Sequence, residues 1–415
     1  MHDSDNNSSQ QSQLQRSIGF GLLVFYGMGT MVGAGFYALS GKVAGIAGLY
    51  APIAFLLAGL LALFSALAFA ELSSRLPFAG GSARYVEKAF GRRWLSALVG
   101  WLIIATGLIS SATLMVATVD FLSDFWELPT KLATLGVTLL VGAIAAWGVK
   151  QAVGTVVLIS LIQIGTLIYI IVASLSMPET PSYEWGQFIP AMETSVWLSI
   201  LTASVLAFYA FIGFEDMVNM AEEVHDVRRT MPKALIASLL LTALLYVAVS
   251  TALVLAIPPD TLADANTPLA EPVRHHGEWA VGLISVVSIL SVINSALVQV
   301  VMAARVAYGM ANRGYAPTIL GRVSSVTKTP WVGTLLSTAV VALLAVSFQL
   351  TELANATSVV LLSVFAFVNF SLWWLKGNPD ESEPQGHFIL PRWVPLVGAF
   401  VSIGTLIFKA AQSFS

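Results

Sequence analysis

From Ile18 to Ala411 the chain is a succession of long, nearly uncharged apolar stretches, separated by short runs that carry most of the Asp, Glu, Lys and Arg. A stretch of about 20 apolar residues is what a helix needs to cross the hydrocarbon core of a bilayer. Within that core every peptide group must be satisfied inside the protein, which makes helices the natural spanning elements here. Composition agrees: 57% of the residues are hydrophobic and only 10% charged, with a mean hydropathy of +0.81. An ordinary soluble domain is excluded, and an all-α integral membrane protein is expected.

The stretches divide into eleven predicted spans: 18–50, 52–76, 94–125, 131–149, 154–177, 195–223, 232–257, 279–310, 332–349, 353–375 and 394–411. Residues 1–17 are rich in Gln, Ser and Asn, without a signal-peptide pattern, and read as a disordered tail. Residues 83–90 form a short amphipathic stretch, 178–194 a polar loop, and 258–278 a longer, partly helical one. Sixteen of the 20 basic residues fall on one side of this arrangement, among them Arg75, Arg93, Lys150, Arg229, Arg313 and Lys376. Basic loops stay in the cytoplasm. The N-terminus is therefore expected inside, the C-terminus outside, and the protein in the plasma (inner) membrane.

Several functions are disfavoured. There is no cysteine for a disulfide, a thiolate metal site or thiol catalysis. No basic stripe of the kind nucleic acid requires is present. The five histidines have no metal-ligand spacing with a carboxylate in a span. No enzyme, metal or cofactor is expected, and the oligomeric state is open.

Two apolar stretches are interrupted. The first contains Gly27-Met28-Gly29-Thr30-Met31-Val32-Gly33-Ala34-Gly35, and the second Phe208-Tyr209-Ala210-Phe211-Ile212-Gly213-Phe214-Glu215. Glycine frees the backbone and weakens a helix. A peptide group uncovered at membrane depth is tolerated only where it lines a cavity or finds a partner. Paired interrupted spans in two halves of a chain point to a transporter's binding site; close helix packing through small residues is the competing reading.

An amino acid suits such a pair of breaks. Its carboxylate needs N–H donors, which Gly33, Ala34 and Gly35 offer at the N-terminus of a half-helix. Its ammonium needs acceptors, which unwound carbonyls near Thr30, Met31, Phe208 and Ile212 supply. Tyr209 and Phe211 lie beside the site as lids or as core packing. Gln299 and Asn294 are polar in an apolar span and either border the pocket or bond between helices. Glu215 is a carboxylate inside a span, and so a proton-carrier candidate or a structural group near a cytoplasmic cavity. Glu71, near the end of span two, reads as structural, paired with a loop arginine.

Four stretches resemble the amino acid–polyamine–organocation (APC) transporter superfamily. They are Val32-Gly33-Ala34-Gly35-Phe36; Ala70-Glu71-Leu72-Ser73-Ser74-Arg75-Leu76-Pro77 with Gly80-Gly81-Ser82 and Tyr85; Phe208 to Glu215 with Glu222-Glu223 and Arg229-x-x-Pro232; and Ala304-Arg305 to Met310 with Asn312-Arg313-Gly314 and Pro317. The resemblance covers residues 18–376 and implies a 5+5 inverted-repeat fold. Spans one to five (18–177) and six to ten (195–376) would form the repeats, with one extra span in 377–415 where many relatives have two. It also implies amino acid transport by alternating access, as antiporter or symporter, with a proton or sodium as possible coupling ion. Proton-coupled relatives can carry a lysine in span five; the best-matching position here is Gln163, an amide that cannot titrate. Val227 stands where a proline is usual. A polyamine or other organocation carrier, and a non-transporting sensor on the same scaffold, remain the alternatives.

Overall fold

The structure, a computed structural model, describes residues 18–33, 35–77, 81–123, 125–126, 129–147, 153–178, 181, 183–325, 327, 329–378 and 388–413. The tail 1–17, Ala34, and much of the 377–392 loop lie outside the described residues.

Fourteen α-helices are present among the described residues: α1 Phe20–Val32, α2 Gly35–Ala47, α3 Ala51–Arg75, α4 Gly81–Phe90, α5 Arg93–Leu122, α6 Thr130–Trp147, α7 Val153–Leu175, α8 Thr194–Phe208, α9 Val227–Ala256, α10 Pro259–Asp264, α11 Glu278–Asn312, α12 Trp331–Ser347, α13 Leu350–Leu375 and α14 Trp393–Ser413. Among the described residues nine helical runs are long and apolar enough to cross a membrane, and two shorter ones, α1 and α12, are apolar as well. This is a multi-pass membrane protein.

The helices pack through small residues. Ala54, Ala58, Ala62 and Ala66 recur every fourth position on α3 and are fully buried, so neighbouring backbones approach closely. The most extensive contacts join α5 to α11, α3 to α9, and α13 to α5 and α14; α6 also meets α12, and α2 meets α8. Serine and threonine hydroxyls inside the spans mostly bond back to the carbonyl four residues earlier, as Thr118 and Ser160 do at 2.8 and 2.7 Å.

The boundaries differ from the sequence reading in one informative place. Helix α9 begins at Val227, five residues before the expected start at Pro232. Proline has no N–H, which deprives the Arg228 carbonyl of its helical partner. The Ser74 hydroxyl, on α3, donates to that carbonyl at 2.8 Å. A side chain from another span replaces the missing bond, so the helix extends through the proline.

Glu71 is also partnered differently from expectation. It is fully buried, and its Oε1 receives Arg75 of its own helix and Lys376 from the end of α13, both at 2.6 Å. Its Oε2 accepts the Leu390 amide at 2.8 Å. The partners are a helix neighbour and a distant lysine, because an arginine one turn along α3 is already within reach and α13 ends beside it.

Candidate functional site

Both interruptions are present. Helix α1 ends at Val32 and α2 begins at Gly35. After Phe208 the chain tightens into a short turn over 209–211, then extends at Ile212. It passes through Gly213 at φ +126° and continues as a 3₁₀ run over 214–223. Only glycine takes that backbone conformation without strain, which fixes where the second break falls. The run after the break is 3₁₀ rather than α, and it is polar: Glu215, Asp216, Asn219, Glu222 and Glu223 crowd into ten residues.

The two breaks pack on each other. A Cβ at Gly35 would stand 2.5 Å from Ala210 Cα and 2.9 Å from its N. A Cβ at Gly213 would stand 2.7 Å from the Thr30 carbonyl oxygen. The Thr30 hydroxyl lies 2.9 Å from the Gly27 carbonyl and 3.2 Å from that of Gly213, and so ties the first break to the second. The start of α2 leaves backbone N–H groups without helical partners and carries positive potential.

Tyr246 of α9 joins the same point and was not singled out in the sequence. It is fully buried, and its hydroxyl lies 2.8 Å from the Met31 carbonyl and 3.0 Å from that of Ala210. Both carbonyls belong to interrupted backbone, where an acceptor left alone would be costly. The ring stacks on Phe36 at 4.3 Å and meets Phe211 edge-on at 5.2 Å. The signal available in the sequence was a lone tyrosine inside an apolar span, whose hydroxyl needs a partner.

The aromatics expected beside the site are anchored. The Tyr209 hydroxyl lies 3.0 Å from Ser110 Oγ on α5. Phe211 is fully buried. Phe208, Phe214, Phe69 and Phe365 form a cluster with three edge-to-face pairs at 5.6–5.9 Å and one tilted pair, Phe214–Phe365, at 5.2 Å. Ile212 is buried.

Two narrow cavities meet at this junction. One is lined by Tyr26, Gly29, Thr30, Val156, Asp216, Asn294, Ser295, Val298 and Gln299. The other runs past Ser82, Thr106, Gly107, Glu215, Asn219 and Met302, and shares Asp216 and Gln299 with the first. Glu215 is held locally: the Gly213 amide donates to its Oε2 at 2.9 Å. Gln163 lies on the other flank. A Cβ at Gly33 would stand 2.5 Å from Ser295 Oγ and 3.5 Å from Gln163 Nε2. The Gln163 backbone carbonyl accepts the Tyr37 hydroxyl at 3.0 Å, and its side-chain Oε1 is buried without a hydrogen-bond partner among the described residues.

Thr30, Met31, Gly33, Gly35, Phe208, Tyr209, Phe211, Ile212, Glu215, Gln163, Asn294 and Gln299 therefore gather at or beside the junction of the breaks. Ala34 lies outside the described residues. Among the described residues no group of three or more His, Cys, Asp or Glu has the arrangement of a metal site.

Each face of this junction is fastened. Ile18 pairs with Val224 as a single parallel bridge, its amide donating to the Glu223 carbonyl at 3.0 Å and its carbonyl accepting the His225 amide at 2.9 Å. At the far end, Lys42 Nζ of α2 donates to the Ala263 carbonyl of α10 at 2.6 Å.

Comparison with known proteins bears on the same stretch of chain. The amino acid permease family model matches residues 18–415. The chain is 30% identical to cationic amino acid transporter 3, mitochondrial, of Arabidopsis thaliana, over 91% of this chain and 66% of that protein. It is 30% identical to cationic amino acid transporter 4 of Mus musculus over 90% of this chain and 62% of that one. It is 27% identical to the branched-chain amino acid permease BcaP of Bacillus subtilis, over 90% and 84% respectively. The chain thus spans about two thirds of the length of the plant and mouse relatives. With the family model matched over nearly the whole chain, the protein belongs to the amino acid permease family, within the amino acid–polyamine–organocation superfamily.

Proposed function

We propose that this protein is a secondary transporter that carries amino acids across the membrane by alternating access. The observation that carries the proposal is the direct packing of one interrupted span on another at Gly35 and Ala210. The two breaks expose backbone donors and acceptors at one point. The carboxylate is received by the N–H groups at the start of α2, around Gly33–Gly35, and the ammonium by carbonyls of the second break. Tyr246 takes the Met31 and Ala210 carbonyls, which shifts the ammonium toward Phe208, Ile212 and the Thr30 hydroxyl.

Ten crossings in two inverted repeats, 18–177 and 195–376, with an eleventh in 377–415, fit the contacts of spans one to four with spans six to nine. Span one meets span six (α2 with α8), two meets seven (α3 with α9), three meets eight (α5 with α11) and four meets nine (α6 with α12). Equivalent spans touch when an internal two-fold axis runs between them. The 16-to-4 partition of basic residues supports an N-terminus in the cytoplasm and a plasma-membrane orientation with the C-terminus outside. Uptake uses a proton, sodium or a counter-substrate. Gln163 contributes polarity without charge, and Glu215 is the titratable candidate.

A preference within the class follows from the cavity wall. Glu215 and Asp216 stand together there, and both cavities share Asp216. A basic side chain would meet carboxylates, while a branched apolar one would not. Relatives carry names of both kinds, cationic and branched-chain.

The test is a thermal-shift panel on the purified protein with arginine, lysine, leucine and valine, their amides, and putrescine. A ligand that binds the folded state raises its melting temperature by mass action. The expected result is a shift with arginine and lysine, with each amide binding about tenfold or more weakly, because buried backbone donors lose an anionic partner. Equal shifts by acid and amide, or a response to putrescine alone, would move the reading to an organocation carrier. A response confined to leucine and valine would remove the role given to Glu215 and Asp216 in selection.

A further inference from the structure

A third cavity opens away from the breaks, where α13 ends and α14 begins. It is lined by Trp373, Trp374, Gly377, Asn378 and Arg392. The Arg392 guanidinium lies over the Trp373 ring, with Cζ 5.0 Å from its centroid. Gly377 makes room for it: a Cβ there would run into the guanidinium, with Cζ at 3.0 Å. The two basic residues at this corner have different employment. Lys376 is buried and bound to Glu71. Arg392 is exposed, and among the described residues it enters no ion pair.

The walls around it are aromatic and face outward. Trp374 is 50% exposed, Trp393 61% and Phe400 66%. Phe370 stacks on Trp373 at 5.3 Å. Tryptophan beside arginine at the end of a spanning helix is the composition of the bilayer interface, where the ring sits at headgroup level. A guanidinium placed over a ring still has its fork of N–H donors to offer a ligand. That fork matches two oxygens of a phosphate. The apolar flank of α14, running from Trp393 to Phe400, offers a surface for the acyl chains.

We propose that the corner between α13 and α14 binds the headgroup of an anionic phospholipid, with Arg392 on the phosphate and Trp373 and Trp374 as its walls. A basic pocket between spanning helices is the kind of site that selects charged lipid over zwitterionic lipid. The site is separate from the substrate junction, and the proposal stands whether or not the transport reading does.

The experiment compares the full-length protein reconstituted in nanodiscs of phosphatidylcholine alone with nanodiscs containing phosphatidylglycerol. Two signals are read: the melting temperature, and quenching of tryptophan fluorescence by bromine-labelled forms of each lipid. In the wild type, phosphatidylglycerol should raise the melting temperature and its brominated form should quench more strongly than brominated phosphatidylcholine. Arg392→Gln should abolish both preferences. Gly377→Val, which keeps the charge but displaces the guanidinium, should do the same, and Arg392→Lys should retain part. Trp373→Phe should reduce the lipid-selective part of the quenching. Equal stabilisation and equal quenching by the two lipids in the wild type would overturn the proposal. So would a preference that survives Arg392→Gln. If one variant proves too unstable to purify, the quenching difference in the wild type and in Trp373→Phe still decides.

Discussion

Gly35→Val should insert and accumulate like the wild type and lose amino acid uptake by about 100-fold or more. A Cβ at this position would already lie 2.5 Å from Ala210 Cα and 2.9 Å from its N. These are backbone atoms and cannot rotate away. Valine would add two further methyl groups, forcing the first break off the second. Displacements of about 1 Å in a binding constellation can cost two orders of magnitude in function. The apolar length of α1 and α2 does not change, so membrane insertion has no reason to fail. Surface expression and uptake should be measured on the same cells. Wild-type uptake per inserted molecule would mean that the two breaks can part without loss, and the site would have to be placed elsewhere.

The second large effect concerns stability. Glu71→Ala should reduce the yield of folded protein severely, with a loss on the order of 3–5 kcal/mol, the range found when one member of a buried ion pair is removed. Glu71 is fully buried, and Arg75 and Lys376 both lie 2.6 Å from its Oε1, with side chains only 7% and 5% exposed. Removing the carboxylate leaves two cations in a low-dielectric interior. It also strips the Leu390 amide of its acceptor. Lys376→Met should cost much less, because Arg75 continues to neutralise Glu71. Detergent-resistant, monodisperse protein measured by size-exclusion chromatography orders the three proteins. If Lys376→Met proves worse than Glu71→Ala, the carboxylate is not the centre of the node.

How much of this was legible beforehand depends on the range of the interaction. The second break was readable because its cause is local: Gly213 takes a backbone conformation open to glycine. The spans were readable because hydrophobic length is local too. Tyr246 was not readable. The carbonyls it meets lie 215 and 36 positions away, and an isolated tyrosine in an apolar span does not name its partner. The extension of α9 through Pro232 depends on Ser74, which lies 154 positions before the carbonyl it serves. Lys376 reaches Glu71 across 305 positions. The 3₁₀ run over 214–223 escaped prediction because its hydrogen-bonding pattern is set by packing against α1, α3 and α9. In each case the residue type announced a need for a partner, and only the fold supplied it.

Flux into proteoliposomes shows whether an amino acid passes through the junction of the two breaks. Labelled arginine should be offered to vesicles containing the purified protein under three conditions: a proton gradient alone, a sodium gradient alone, and unlabelled arginine inside. Gln163 brings no titratable proton, so Gln163→Ala should leave the pattern of stimulation unchanged. Strong stimulation by internal arginine is expected in the wild type, and none in Gly35→Val. Stimulation by a proton gradient that persists in Gln163→Ala and disappears in Glu215→Gln would assign coupling to the second break. Arginine accumulation of equal size in empty vesicles, wild type and Gly35→Val would mean that no amino acid is carried through this junction.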